Sequence, residues 1–105
     1  MIYNEYEVLR LLDKAISDVQ SEINKHKSGI IANGTTAQLE CIYKEIKRMK
    51  TVLNPEVFSP SYPRIIVDSW DFKSTLGNDL LILFEKYKEL WEKIKEVYIC
   101  EKPYD

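Results

Sequence analysis

Apolar residues recur along this chain at helical spacing in three long stretches, separated by intervals that are polar or rich in proline and glycine. In the first stretch Val8, Leu12, Ala15, Val19 and Ile23 fall at i, i+4, i+7, i+11 and i+15, a single helical face that Leu9, Leu11 and Ile16 widen. Asn4-Glu5-Tyr6-Glu7 places a capping side chain three residues before a glutamate, the spacing of a capping box. Lys25, His26 and Lys27 suit the negative end of the helix dipole, and Gly29 can take the left-handed stop. The pattern predicts a helix over residues 4–28. Ile30 and Ile31 follow as residues expected to fold back on its last turn, and Asn33-Gly34 suits a chain reversal.

Thr35 or Thr36 caps a second helix, with Gln38 at the reciprocal capping-box position if the cap is Thr35. Its apolar face is Leu39, Ile42, Tyr43, Ile46, Met49 and Leu53, and Lys44, Lys47, Arg48 and Lys50 lie on the other. Asn54-Pro55 ends it, because a proline disfavours helical geometry in the residue before it. The last helix, about 75–100, starts at Ser74 or Thr75 and runs through Leu76, Leu80, Leu83, Phe84, Tyr87, Leu90, Trp91, Ile94, Val97 and Tyr98, with Pro103 as terminator. Gly77 costs about 1 kcal/mol in a helix interior and less in a first turn.

Between these helices the reading divides. Residues 54–63 hold three prolines and form a restricted loop. Ile65-Ile66-Val67 with Trp70 and Phe72 beyond has the composition of a strand. A lone strand needs a partner, however, and no second strand is apparent. Ser61 is an acceptable cap, Pro63 falls where a first turn tolerates it, and Tyr62, Ile66 and Trp70 share a face at i, i+4 and i+8. A short helix over about 61–71 is the reading taken. The sum is an all-α fold, an antiparallel helical bundle of three long helices plus one short helix, in a single domain spanning 1–105.

Composition adds limits. Apolar content of 45% and charged content of 30% are those of an ordinary globular chain. A net charge of −2 with interleaved signs argues against non-specific nucleic-acid binding. Cys41 and Cys100 lack metal or redox spacing and fit a reducing compartment better than a disulfide framework. The N-terminus lacks the pattern of a signal peptide, and no apolar run reaches the roughly 18 residues of a membrane span. The expected location is the cytoplasm, away from membranes.

Candidate chemistry is sparse. His26, the only histidine, sits between lysines at a polar helix end and reads as solvated. One histidine and two distant cysteines do not make a zinc site, so neither a metal nor a cofactor is implied. Glu85, Glu89, Glu92 and Glu96 share a side of the last helix and invite a metal-dependent nucleotide hydrolase, but interleaved lysines make that side look like a salt-paired, solvated face. No catalytic residue is assigned. The seven tyrosines and two tryptophans raise a different possibility, because these types are enriched at protein interfaces. Tyr62, Asp68, Trp70, Asp71, Phe72 and Asp79 form an acidic-aromatic corner suited to a basic partner surface. The alternative is that Trp70 plugs the core while Asp71 or Ser74 caps the last helix.

Three short segments resemble a family of small cytoplasmic bacterial immunity proteins that neutralise NAD(P)-degrading toxins delivered by type VI secretion. Leu12-Asp13-Lys14-Ala15 is similar to that family's first-helix segment, and Gln38-Leu39-Glu40-Cys41-Ile42 to its second-helix core. Ile66-Val67-Asp68-Ser69-Trp70-Asp71-Phe72 is similar to its acidic-aromatic corner. The resemblance covers roughly residues 8–90, with the proline-rich loop and the long last helix departing from the pattern. It implies a non-enzymatic protein that occludes the catalytic cleft of a cognate protein toxin. A structural or adaptor bundle that self-associates through its last helix is the competing expectation.

Overall fold

Within the described residues each apolar stripe becomes a largely buried helix face. The computed structural model describes the backbone of residues 5–71 and 73–101 and the side chains of residues 6–71 and 73–90. The described residues form four helices, α1 (Glu5–Lys27), α2 (Thr36–Val52), α3 (Tyr62–Ser69) and α4 (Thr75–Glu101), and contain no strand. The expected cap Asn4 and terminator Pro103 lie outside the described residues, as do the side chains of Trp91, Ile94, Val97, Tyr98 and Cys100.

All five residues of the α1 stripe, Val8, Leu12, Ala15, Val19 and Ile23, are buried. They meet Leu39, Ile42, Ile46 and Met49 of α2 and Leu80, Leu83, Tyr87 and Leu90 of α4 in one core. Burying a large aliphatic side chain contributes roughly 1.5–3 kcal/mol, well above the tenths separating most helix propensities. Packing therefore decides which faces turn inward. Among the described residues, no helix is long and apolar enough to cross a membrane.

The helix ends show which signals were used. Thr35 is the cap of α2: its Oγ1 accepts the Gln38 N–H at 3.1 Å while Gln38 Oε1 accepts the Thr35 N–H at 3.1 Å. At the end of α1, Gly29 takes φ 79, Ile30 N–H donates to Lys25 O at 2.9 Å and Gly29 N–H to His26 O at 3.1 Å. That pair of bonds is a Schellman stop. Ile30 and Ile31 do not fold back on the helix, being 56% and 96% exposed. Polar contacts hold the connector instead. Glu22, buried on α1, accepts the backbone and side-chain N–H groups of Asn33 at 2.8 and 2.7 Å, and His26 Nε2 lies 3.1 Å from Asn33 O, which requires the ring to donate there. The histidine expected to be solvated is thus half-buried and part of this anchor. α2 ends at its cap Leu53, immediately before the expected Asn54-Pro55 stop. Leu53 takes the left-handed conformation, φ 51, before Pro55, and its N–H bonds Met49 O.

Candidate functional site at the α3–α4 corner

α3 is only eight residues long and receives its N-terminal cap from another helix. Ser61 makes no side-chain capping bond, contrary to its expected role, because it sits at φ −102, ψ −3 with its hydroxyl turned to Glu45. The Glu45 carboxylate on α2 accepts Ser61 N–H at 3.0 Å, Tyr62 N–H at 2.8 Å and Ser61 Oγ–H at 2.7 Å. A carboxylate at a helix start satisfies orphan donors and complements the dipole. Pro63 occupies the first turn as expected.

The inward face of α3 is Tyr62, Ile66 and Trp70. Tyr62 is fully buried, donates its hydroxyl to Leu80 O at 2.7 Å and meets Phe84 edge-on with centroids 6.4 Å apart. Burial, followed by the nearby Glu45 charge, pushes its phenol well above the ordinary tyrosine range.

Trp70 is 8% exposed, so its ring faces the core, the alternative arrangement for this residue. It lies between two glycines. A Cβ on Gly34 would stand 2.7 Å from Trp70 Nε1, and one on Gly77 would stand 3.3 Å from Trp70 Cε3. The indole N–H donates to Gln38 Oε1 at 3.2 Å, the same oxygen that closes the α2 capping box. Gly77 is therefore a packing residue in the first turn of α4. Beyond Trp70 the backbone turns at once. Asp71 Oδ1 accepts Lys73 N–H at 2.9 Å, and Ser74, the α4 cap, accepts Gly77 N–H at 2.9 Å through its hydroxyl.

The outward face is a separate line of side chains. Arg64, Val67 and Asp68 follow at i, i+3 and i+4 on the helix, Asp71 lies just past its end beyond the extended Trp70, and all four are exposed. Val67, an aliphatic residue, is 69% exposed, and Arg64 approaches Asp68 only at 4.0 Å. Such a surface ion pair contributes at most about 1 kcal/mol and leaves the carboxylate accessible. The expected site residues thus separate: Asp68 and Asp71 form the outer rim, Tyr62 and Trp70 lie beneath it, and Phe72 falls outside the described residues. Asp79 turns toward α1, 3.9 Å from Lys14, and borders an open groove of about 120 Å³ with Leu11, Ala15, Leu76 and Leu83. Neither Glu45 as a cap nor Glu22 as an anchor is legible in the sequence, because each acts on a segment eleven or more residues away.

Acidic clustering elsewhere is limited. Among the described residues no group of three or more His, Cys, Asp or Glu is placed to hold a metal ion. Glu85 pairs with Lys88 at 3.6 Å, while the side chains of Glu92 and Glu96 lie outside the described residues. Cys41 is an exposed free thiol. Comparison with protein-family models, with curated proteins and with solved structures finds no match for this chain.

Proposed function

We propose that this chain is a non-enzymatic protein-binding domain of the immunity kind, acting in the cytoplasm by covering the catalytic cleft of a cognate toxin. The observation that carries the reading is the two-sided build of α3. Its inner side is locked by Tyr62, Ile66 and Trp70, and its outer side presents Val67 beside Arg64 and Asp68, with exposed Asp71 just past the helix end. A rigid aliphatic centre rimmed by carboxylates suits a cleft lined with cations that bind a dinucleotide substrate. Locking the backbone lowers the ordering cost of association. Tyr62 and Trp70 support the surface from below in this proposal, and Asp79 stands to one side of it. The same proposal takes α1, α2 and α4 as three long antiparallel helices, with short α3 bridging α2 and α4.

The test is co-expression with the toxin encoded immediately upstream, scored by growth and by pull-down. The native chain should rescue growth. Asp68→Lys/Asp71→Lys should lose rescue and binding while keeping a native melting curve. Rescue that survives this charge reversal would overturn the assignment of the surface. Ile82, 52% exposed on α4, favours self-association as the second reading, and light scattering showing a monomer at all concentrations would remove it.

A further inference from the structure

The outward face of α2 carries charge of the opposite sign. Lys44, Lys47 and Arg48 fall at i, i+3 and i+4, continue to Thr51 at i+7, and are all exposed. With a rise of about 1.5 Å per residue, the three cations lie within roughly 6 Å along the helix axis. The ion pairs among the described residues use Lys14, Lys25, Lys50, Arg64 and Lys88, and none uses these three. Like charges at i, i+3 and i, i+4 destabilise a helix slightly, a cost that no ion pair among the described residues offsets.

Two of the cations are nevertheless held in place. The Lys47 ammonium stands 5.4 Å from the centroid of the Tyr43 ring, and the Arg48 guanidinium 5.5 Å from that of Phe58. Both distances lie within the range of about 6 Å over which a ring attracts a cation. The rings are half-buried, and Val57, beside Phe58 in sequence, is 67% exposed. Pre-positioned cations on aromatic supports with an aliphatic neighbour have the composition of a protein interface, in which tyrosine, phenylalanine and arginine are enriched.

We propose that this face of α2 docks an acidic protein surface, as a contact site separate from the α3 rim. Lys44, Lys47 and Arg48 meet the partner's carboxylates, and Tyr43 and Phe58 supply the apolar floor. Nucleic acid fits less well. Exposed Glu40 precedes Lys44 by four residues on the same line and would face the phosphates, and the whole chain carries −2. A polyanionic backbone calls for a longer basic track.

The experiment measures fluorescence anisotropy of a labelled poly-glutamate peptide and, separately, of a labelled single-stranded oligonucleotide, with the full chain at low salt. The peptide should bind saturably, and Lys44→Gln/Lys47→Gln/Arg48→Gln should weaken it about tenfold or more. The charge-matched control Arg10→Gln/Lys27→Gln/Lys86→Gln should retain binding. Tyr43→Leu, which keeps apolar bulk but removes the ring, should weaken it about threefold. Asp68→Lys/Asp71→Lys should not weaken it, which keeps this face's outcome distinct from that of the α3 rim. Each variant is first shown to melt cooperatively. Absence of saturable peptide binding, equal loss in both triple variants, or tighter binding of the oligonucleotide would overturn the proposal.

Discussion

Gly34 and Gly29 offer a matched pair for weighing how tightly Trp70 is held. Both have left-handed backbone, at φ 64 and φ 79. A Cβ at Gly29 would meet nothing within 4 Å, whereas one at Gly34 would stand 2.7 Å from Trp70 Nε1, 2.8 Å from Gln38 Oε1 and 2.9 Å from Trp70 Cε2. Alanine at either position incurs backbone strain of roughly 1–2 kcal/mol. At Gly34 the methyl group must also displace the indole or the amide, an overpacking cost of about 1–3 kcal/mol. Disturbing the bond from Trp70 Nε1 to Gln38 Oε1 adds about 1 kcal/mol. Gly34→Ala should therefore destabilise by roughly 3–6 kcal/mol and Gly29→Ala by only 1–2, against a total of about 5–15 for a small domain. Urea unfolding followed by far-UV circular dichroism gives both values. In a Trp70→Leu background the slot is partly vacated, so the excess cost at Gly34 should shrink by about 1–3 kcal/mol in a double-mutant cycle. Equal losses at the two glycines, or no coupling to Trp70, would refute the packing described for the corner.

Three further outcomes follow from other contacts. Glu45→Ala removes the acceptor for Ser61 and Tyr62 and should cost about 1–2 kcal/mol, with faster hydrogen exchange confined first to the start of α3. Tyr62→Phe removes the hydroxyl bonded to Leu80 O and should cost about 1 kcal/mol; in the native chain the raised phenol pKa contributes stability that is present below the ordinary tyrosine value and lost as pH rises above about 10, measurable by ultraviolet titration and melting in parallel. Burial alone would raise the Glu22 carboxyl, but the two Asn33 bonds and then Lys25 bring it below its ordinary value. Its contribution is complete above the unfolded pKa and lost as pH falls through the depressed folded value, so Glu22→Gln should flatten the acid limb of the stability profile below about pH 4.

Much of the helical layout was readable because local signals and burial agree. The α1 stripe and the Thr35–Gln38 box each lie within one element and obey one period, and both stand as read. The α3 segment was harder, since its β-branched run favours a strand while its Tyr62–Ile66–Trp70 spacing favours a helix. Tertiary burial of that spacing decided the matter. The direction of Trp70 was not legible from its own neighbours. It depends on Gly34 and Gly77, far apart in sequence, each leaving room for the ring. The roles of Glu22 and Glu45 were hidden for the same reason, since a carboxylate that serves a distant backbone looks like any other charge on a helix. Ile30 and Ile31 misled because apolar character near a helix end suggests fold-back, and the Glu22–Asn33 anchor took precedence.

The dependence of α3 on its neighbours limits how its surface can be reproduced or lost. Isolated helices shorter than about 12 residues are marginal in water, and this one has eight, with its first turn secured from α2 and the Trp70 that follows it wedged beside α4. A synthetic peptide spanning residues 59–74 should therefore compete poorly for any partner of the whole chain, even though it contains every exposed residue of the stripe. The surface proposed for recognition at the corner is thus held in part by Glu45, a residue on another helix.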